Sequence, residues 1–186
     1  MFDYAAVFDR GLRYDDFLAG YASDADRAKW QTVLDKTELT EAQKIRVGCF
    51  RRAMPVVCLA GAWCGDCVSQ CPILHTIALN SPLVDLRFFD RDAFPDLAAE
   101  LQICGAPRVP SVLFLAEDFL PVGRYGDKTL AKYRKLESEL SGAACSLGYT
   151  EPPDLHADVT AEWVDQFERN QLILRTSGRL RKKHGD

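Results

Sequence analysis

The stretch AGAWCGDCVSQCPIL, residues 60–74, decides the fold of this chain. It holds three of the seven cysteines, and the first two, Cys64 and Cys67, are spaced C-x2-C. An apolar run of strand type, PVVCLAGA, leads into the motif, and a helical pattern follows it from residue 68 to residue 79. The two cysteines are therefore predicted to lie where a strand passes into a helix.

That position gives the spacing a chemical use. The N-terminus of a helix offers unpaired N–H groups and the positive end of the helix dipole, so a thiolate there has a pKa below the usual value of roughly 8.5. We predict that Cys64 is the exposed nucleophile and that Cys67, one turn further, is the more buried resolving thiol. Gly65 and Asp66 lie between them. The alternative interpretation is that both cysteines are inert core residues.

Length and composition restrict the class of protein. The chain has 186 residues, which predicts one domain with extensions, and 47% hydrophobic and 27% charged residues are typical of globular proteins. A net charge of -4 argues against nucleic-acid binding, and the sequence lacks a run of roughly 18 apolar residues that would span a membrane. The acidic start does not resemble a signal peptide, so we expect a cytoplasmic protein without structural disulfides.

The hydrophobic patterns predict the order of elements. Strands are expected at PVVCLAGA, LVDLRFF, SVLFL and LPVGRY, and helices at SDADRAKWQTVLDKT, TEAQKIRVGCFRRAM, VSQCPILHTIAL, FPDLAAELQI, DKTLAKYRKLESEL and TAEWVDQFERNQLIL. In the second of these helices Thr40 and Gln43 fit a capping box, and an apolar stripe is predicted at Ala42, Ile45, Cys49 and Ala53. Alternating helices and strands followed by a hairpin predict an α/β fold, a mixed central sheet flanked by helices. The basic tail RTSGRLRKKHGD is expected to be frayed.

With these residues the chain resembles the thioredoxin family over roughly residues 40–140. WCGDC matches the family's Trp-Cys-x-x-Cys, and Pro72 stands where thioredoxins have a proline that kinks the helix. Pro110, in RVPS, stands in the place of the family's cis-proline, and Gly126 matches a glycine that follows the hairpin. WCGDC and RVP are also similar to bacterial thioredoxin-like proteins with N-terminal helices.

The resemblance implies a thioredoxin fold with extra helices at both termini. Residues 1–39 would be an N-terminal helical extension, residues 40–140 the thioredoxin-like domain, and residues 141–186 a linker and a C-terminal helix. It also implies thiol-disulfide exchange, most simply as a reductase acting in cell redox homeostasis. The substrate would be a disulfide in a protein or small molecule, without contact to nucleic acid or membrane.

The resemblance further implies roles for the residues around the motif. Trp63 would shield the site, and Val109 with cis Pro110 would form the ledge on which the substrate backbone docks. The redox-active pair needs no bound cofactor and no metal, but an external electron donor, a reductase or a small thiol, must return the pair to the dithiol.

Three positions depart from the family pattern or modify it. Cys58 stands where many thioredoxins bury an acid on the preceding strand, and it is a poor substitute for a proton acceptor, so water or Asp66 would take that role. Asp66 replaces a residue that is often proline, and its charge is expected to raise the thiol pKa and make the disulfide less oxidising. Arg108 either faces Cys64 and counteracts this charge, or is a solvated loop residue.

Other interpretations stay open at this point. Cys71 is predicted to be a core residue, but it is also a possible third redox thiol that pairs with Cys67. The spacing C-x2-C-x3-C-P is similar to part of a cluster-binding run, with Cys104 as a distant fourth ligand. A redox-silent adaptor, with the terminal helices as its contact surface, is the alternative function.

Overall fold

A mixed four-stranded sheet forms the centre of the structure, a computed structural model that describes residues 2–141 and 153–186. Its strands are β1 (Met54–Ala60), β2 (Val84–Asp90), β3 (Ser111–Leu115) and β4 (Pro121–Gly126). They are ordered β2-β1-β3-β4, with β1 parallel to β2 and β3 antiparallel to both of its neighbours. Every residue of β1 and β3 is buried, because these central strands are covered on both faces.

Helices flank this sheet and extend the chain at both ends, which confirms the predicted fold. They are α1 (Tyr4–Phe8), α2 (Tyr14–Tyr21), α3 (Asp24–Lys36), α4 (Glu41–Gly48), α5 (Gly65–Leu79), α6 (Pro95–Glu100), α7 (Leu130–Ser141), α8 (Leu155–Thr176) and α9 (Gly178–His184). None of these helices is both long enough and apolar enough to cross a membrane, as judged on the part of the chain that the structure describes.

The register of the strands assigns the helices to two layers. Because side chains alternate along a strand, Cys58, Phe88 and Phe114 lie on one face of the sheet. On that face Phe88 contacts Phe17 of α2, and Phe114 contacts Phe167 of α8, with ring centroids 5.5 and 5.0 Å apart. On the opposite face Phe89 contacts Phe94, the N-cap of α6, and Arg87 lies over the ring of Phe8 of α1.

The N-terminal segment joins the sheet and its core. The backbone of Leu12 exchanges two hydrogen bonds of 2.9 and 2.8 Å with Phe88, so the segment pairs with the free edge of β2. Gly11 is needed beside this bridge, since a Cβ there would overlap the ring of Phe89. Tyr14, Phe17 and Trp30 then bury their rings in the core. The predicted domain limits at residues 39/40 and 140/141 stay a prediction.

The helix before β1 differs from its predicted form. The capping box of Thr40 and Gln43 is present, but α4 ends at Gly48 and its buried residue is Val47. Ile45 is 67% exposed and Cys49 is also exposed, so the predicted apolar stripe is wrong. The helix is only two turns long, and residues after it belong to the loop that leads to β1.

The C-terminal tail is ordered, so the expectation of a frayed end is wrong. Residues Gly178–His184 form α9, whose Leu180 is buried. Lys183 binds Glu117 at 2.6 Å, and Arg179 binds Asp118, which fixes the helix to the turn between β3 and β4. The predicted linker and Cys145 lie outside the described residues.

Candidate active site

The C-x2-C motif lies at the junction of β1 and α5, as the sequence predicts. Cys64 is the N-cap of α5, and Gly65 is the first residue of that helix. Pro72 lies within α5. Cys64 is partly exposed, whereas Cys67, in the first turn, is 0% exposed. One sulfur is therefore within reach of a substrate, and the other lies directly beneath it.

Both sulfurs are held by hydrogen bonds. The N–H of Gly61 donates to Cys67 Sγ at 3.4 Å, and the Cys64 thiol faces the carbonyl oxygen of Val109 at 3.7 Å. The two thiols also hydrogen bond to each other. The pair is in the dithiol form, and the other cysteines that the structure describes are also free thiols.

The pKa values of the two thiols separate in the direction opposite to the prediction. The hydrogen bond with Cys67, followed by burial, raises the pKa of Cys64 above its ordinary value, although backbone N–H groups of the helix N-terminus act to lower it. Burial opposes ionisation of Cys67, but hydrogen bonds from Cys64, Cys71 and the Gly61 N–H outweigh it and lower the pKa of Cys67 to about 6. The pair therefore loses its first proton at a lowered pKa and its second proton at a raised pKa.

The carboxylate of Asp66 is paired with two lysines. Its carboxylate binds Lys128 Nζ at 2.8 Å and Lys132 Nζ at 2.6 Å. Burial acts to raise the pKa of Asp66, but the two lysines outweigh it and lower that pKa. The two lysines compensate the charge of Asp66 and reduce its proton affinity, and the expectation that Asp66 repels the thiolate or accepts its proton stays a prediction.

Asp127 is a buried carboxylate that lies beside two cationic side chains near the motif. It is 3% exposed and lies 3.7 Å from Arg108 and 3.3 Å from Lys128, and Tyr133 donates a hydrogen bond to it. Arg108 thus faces a carboxylate. The pKa of Cys64 is shifted mainly by the hydrogen bond with Cys67 and by burial.

The peptide bond between Val109 and Pro110 is cis, which confirms the isomer that the resemblance implies. Gly126 lies directly behind this proline with φ +130°, and a Cβ at that position would overlap the carbonyl oxygen of Pro110. Glycine is therefore required there for two reasons, the backbone angle and the close approach.

Two tryptophans shape the loop in front of α5. Trp63 is 53% exposed, and the guanidinium of Arg91 lies 4.7 Å from the centre of its ring. Trp30 of α3 is buried and donates its indole N–H to the carbonyl oxygen of Ala62 at 2.8 Å. The N-terminal extension is thereby bonded to Ala62, two positions before Cys64.

A buried amide joins α5 to the C-terminal helix. Gln70 donates to the carbonyl oxygens of Asp66 at 3.2 Å and Asp127 at 3.0 Å, and it accepts the indole N–H of Trp163 at 3.1 Å. Gln70 and Trp163 are both 0% exposed. Helix α8 therefore supports the backbone on both sides of the candidate site.

Two further thiols lie beneath the pair. Cys71 hydrogen bonds to Cys67, and its Sγ is 3.9 Å from Sγ of Cys58 on β1. Cys104, in contrast, is exposed on a loop. Within residues 2–141 and 153–186, no three His, Cys, Asp or Glu side chains are grouped so that they could hold a metal ion.

A family model described as Thioredoxin matches residues 11–132, which is more than half of the chain. The chain belongs to the thioredoxin family. The match begins well before residue 40, so the thioredoxin model includes α2 and α3 of the N-terminal extension as well as the motif and the cis-proline. A comparison with curated proteins gives no match.

Two solved structures share the fold of nearly the whole chain. A protein of unknown function from Pseudomonas aeruginosa is 20% identical, with a TM-score of 0.72 over 94% of this chain and 98% of that chain. An HIV epitope-scaffold is 22% identical, with a TM-score of 0.65 over 89% of this chain and 99% of that chain. Both similarities cover the terminal helices as well as the thioredoxin core.

Several residues of this thioredoxin site were not found from the sequence. Lys132 lies in the first turn of α7, but Lys128 lies in the bend before it, so their spacing of four positions carried no helical signal of a shared anion. Gln70 and Trp163 carried no such signal, because they are 93 positions apart and meet only when α8 packs on α5.

Proposed function

We propose that this thioredoxin-family protein is a thiol-disulfide oxidoreductase that works as a reductase. The observation that carries the proposal is the pairing of a partly exposed thiol, Cys64, with a buried thiol, Cys67, through a hydrogen bond at the N-terminus of a helix. Such a pair can attack a disulfide from outside and then close on itself.

The reaction begins with the pair in its singly ionised form. The proton shared by the two sulfurs passes to Cys67, and the Cys64 thiolate attacks one sulfur of the substrate disulfide. This step forms a mixed disulfide and releases the first substrate thiolate. Cys67 then gives its proton to the released thiolate and attacks Cys64 Sγ, which releases the second thiolate. The substrate gains two electrons, its first thiolate takes the proton of Cys67 and its second takes one from water, and the Cys64–Cys67 disulfide is the oxidised product.

Exposure assigns the two roles, because only Cys64 can meet a protein substrate. Its thiol faces the carbonyl oxygen of Val109, beside cis Pro110. A substrate backbone that docks along this ledge would bring its disulfide next to Cys64. Trp63, exposed beside the motif, would cover one side of the bound substrate. The active pair itself carries the electrons, and a reductase or small thiol would restore it.

The balance of charges favours the reducing direction. Lys128 and Lys132 are paired with Asp66, and Arg108 is paired with Asp127. Cations that are occupied in this way stabilise a neighbouring thiolate weakly, and a dithiol that is weakly stabilised gives up electrons more readily. We expect a reduction potential near that of reducing thioredoxins, about -270 mV. The potential should in any case lie below the roughly -180 mV of oxidising isomerases.

The test combines turnover with trapping. The wild type should reduce insulin disulfides with dithiothreitol as electron donor, and Cys64→Ser should abolish this activity. Cys67→Ser should accumulate a mixed disulfide that intact-mass measurement detects. Cys49→Ser changes an exposed cysteine outside the site and should leave activity unchanged. Full activity in Cys64→Ser would contradict the role of Cys64 as the nucleophile. No activity in the wild type, together with no mixed disulfide in Cys67→Ser, would contradict the proposal and favour the redox-silent adaptor.

A further inference from the structure

A line of buried thiols continues from the active pair into the core. Cys67 hydrogen bonds to Cys71, and Cys71 Sγ lies 3.9 Å from Cys58 Sγ. All three residues are 0% exposed. Of these three buried thiols, the reaction proposed above uses only Cys67. Cys58 and Cys71 are therefore nucleophilic groups that lie against the site but take no part in that reaction.

The geometry brings each sulfur next to a possible exchange partner. A disulfide joins sulfurs about 2.05 Å apart, so the contact between Cys58 and Cys71 closes when the sulfurs approach by roughly 2 Å. Cys58 is on β1 and Cys71 on α5, on facing sides of the core. These two elements also hold the motif between them, so a bond between them would cross the layer beneath the active pair.

We propose that Cys58 and Cys71 form an internal second dithiol that reloads the Cys64–Cys67 pair, so that one reduced chain reduces two substrate disulfides. This inference rests on the proposed oxidoreductase function and adds a store of two electrons to it.

The transfer is an internal thiol-disulfide exchange in two steps. After one turnover the thiolate of Cys71 attacks Sγ of Cys67, the Cys64–Cys67 bond breaks, and Cys64 leaves as a thiolate. The thiolate of Cys58 then attacks Sγ of Cys71 and releases Cys67. A Cys58–Cys71 disulfide has replaced the Cys64–Cys67 disulfide, and the protons of Cys58 and Cys71 have moved to Cys64 and Cys67. The pair is again a dithiol.

Oxidation of the active pair removes part of the barrier to the first step. In the dithiol form, burial raises the pKa of Cys71, and the hydrogen bonds with Cys58 and Cys67 and the charge of Cys67 raise it further. When Cys67 enters a disulfide its contribution as a charge is lost, so Cys71 ionises more easily. The same burial excludes external reagents, so the store is reached only through Cys67.

The experiment counts the disulfides that one chain reduces without an electron donor. The parent variant carries Cys49→Ser, Cys104→Ser and Cys145→Ser, which removes every other thiol. It is fully reduced, freed of reductant under nitrogen and mixed with excess 5,5′-dithiobis(2-nitrobenzoate), whose thiol product absorbs visible light. We expect two equivalents of reagent to be consumed, the second more slowly, and a final mass four hydrogens below the reduced chain without an adduct.

Matched variants separate this inference from the function on which it rests. Cys71→Ala and Cys58→Ala should each consume one equivalent and lose two hydrogens, and circular dichroism checks that they fold. Cys64→Ser should show neither phase, because the inner thiols have no other access.

The parent itself gives a readout that needs no core substitution. Peptide mapping of its oxidised form should find a bond between Cys58 and Cys71. Consumption of a single equivalent by the parent, or a Cys58 that is still alkylated after denaturation of the oxidised chain, overturns the second dithiol and leaves the oxidoreductase intact. No consumption at all overturns both.

Discussion

At the level of single residues, Cys64 and Cys67 ionise as one unit. The negative charge formed by loss of the first proton is stabilised by the hydrogen bond between the two sulfurs, and the same bond opposes loss of the second. The helix N-terminus, which the sequence indicates as the cause of a low pKa, contributes less than this bond and than burial. Reactivity therefore depends on the contact between two side chains more than on the helix dipole.

A pH profile tests this shared proton. The rate of iodoacetamide alkylation of Cys64 should rise with pH through the first ionisation of the pair, at a pKa below the usual 8.5 or so. In Cys67→Ala the anion loses its partner, so we expect this apparent pKa to rise. Cys71→Ala removes one of the lesser hydrogen bonds to Cys67 and should give a smaller rise. An identical profile in wild type and Cys67→Ala would show that the sulfurs ionise independently.

Gly126 shows how one position behind the site depends on backbone geometry. Its φ of +130° disfavours any residue with a side chain, and a Cβ would overlap the carbonyl oxygen of Pro110. The sequence identified this glycine only by its distance from Pro110. The structure supplies the reason, since β4 passes over the cis-proline at that residue.

Substitution of this glycine should be costly. Gly126→Ala combines an unfavourable φ with a backbone overlap, and we expect a loss of about 2 to 4 kcal/mol in the free energy of unfolding. Gly20→Ala is the matched control, because Gly20 lies in α2 with open space around it, and alanine there should stabilise the protein by about 0.5 kcal/mol. Urea unfolding measures both. Equal stabilities of the two variants would refute the steric argument.

At the level of elements, local sequence patterns predicted helices and strands well, but they did not predict contacts between residues that are far apart in the sequence. The apolar run of β1, the capping box of α4 and the motif before α5 are local signals, and each has its predicted element. The stripe on α4 was wrong because Ala42 and Ile45, both inside this helix, are exposed, and the helix turns Val47 toward the core instead. The ion pairs of Asp66 were missed because Lys128 lies in the bend before α7 and Lys132 in the first turn of α7, both more than sixty positions later.

Helix α8 provides a direct test of such a long-range partner. Trp163→Phe removes the indole N–H and leaves the buried carbonyl oxygen of Gln70 without its donor, which should cost about 1 to 3 kcal/mol of unfolding free energy. Trp63→Phe is the control, because this ring is largely exposed and its truncation should change stability by less than about 0.5 kcal/mol. If the two variants are equally stable, α8 is not held by this bond.

At the level of the whole molecule, the terminal helices belong to the same core as the sheet. Tyr14 and Phe17 contact Phe88 of β2, and Trp30, which contacts both of these rings, also bonds to the loop before the motif. The family match from residue 11 agrees with this packing. The N-terminal helices therefore do two things at once, covering the sheet and fixing the active-site loop.

Removal of residues 1–39 should accordingly abolish cooperative folding. Burial of each large apolar side chain contributes about 2 kcal/mol, and the five buried rings of the extension, Tyr4, Phe8, Tyr14, Phe17 and Trp30, together approach the net stability of a typical domain, about 5 to 15 kcal/mol. Removal of residues 178–186 is the control, because α9 buries one apolar side chain, Leu180, and that variant should keep a single, slightly lower transition. Calorimetry distinguishes the two. A cooperative transition in the chain that starts at residue 40 would instead establish the extension as a separate addition.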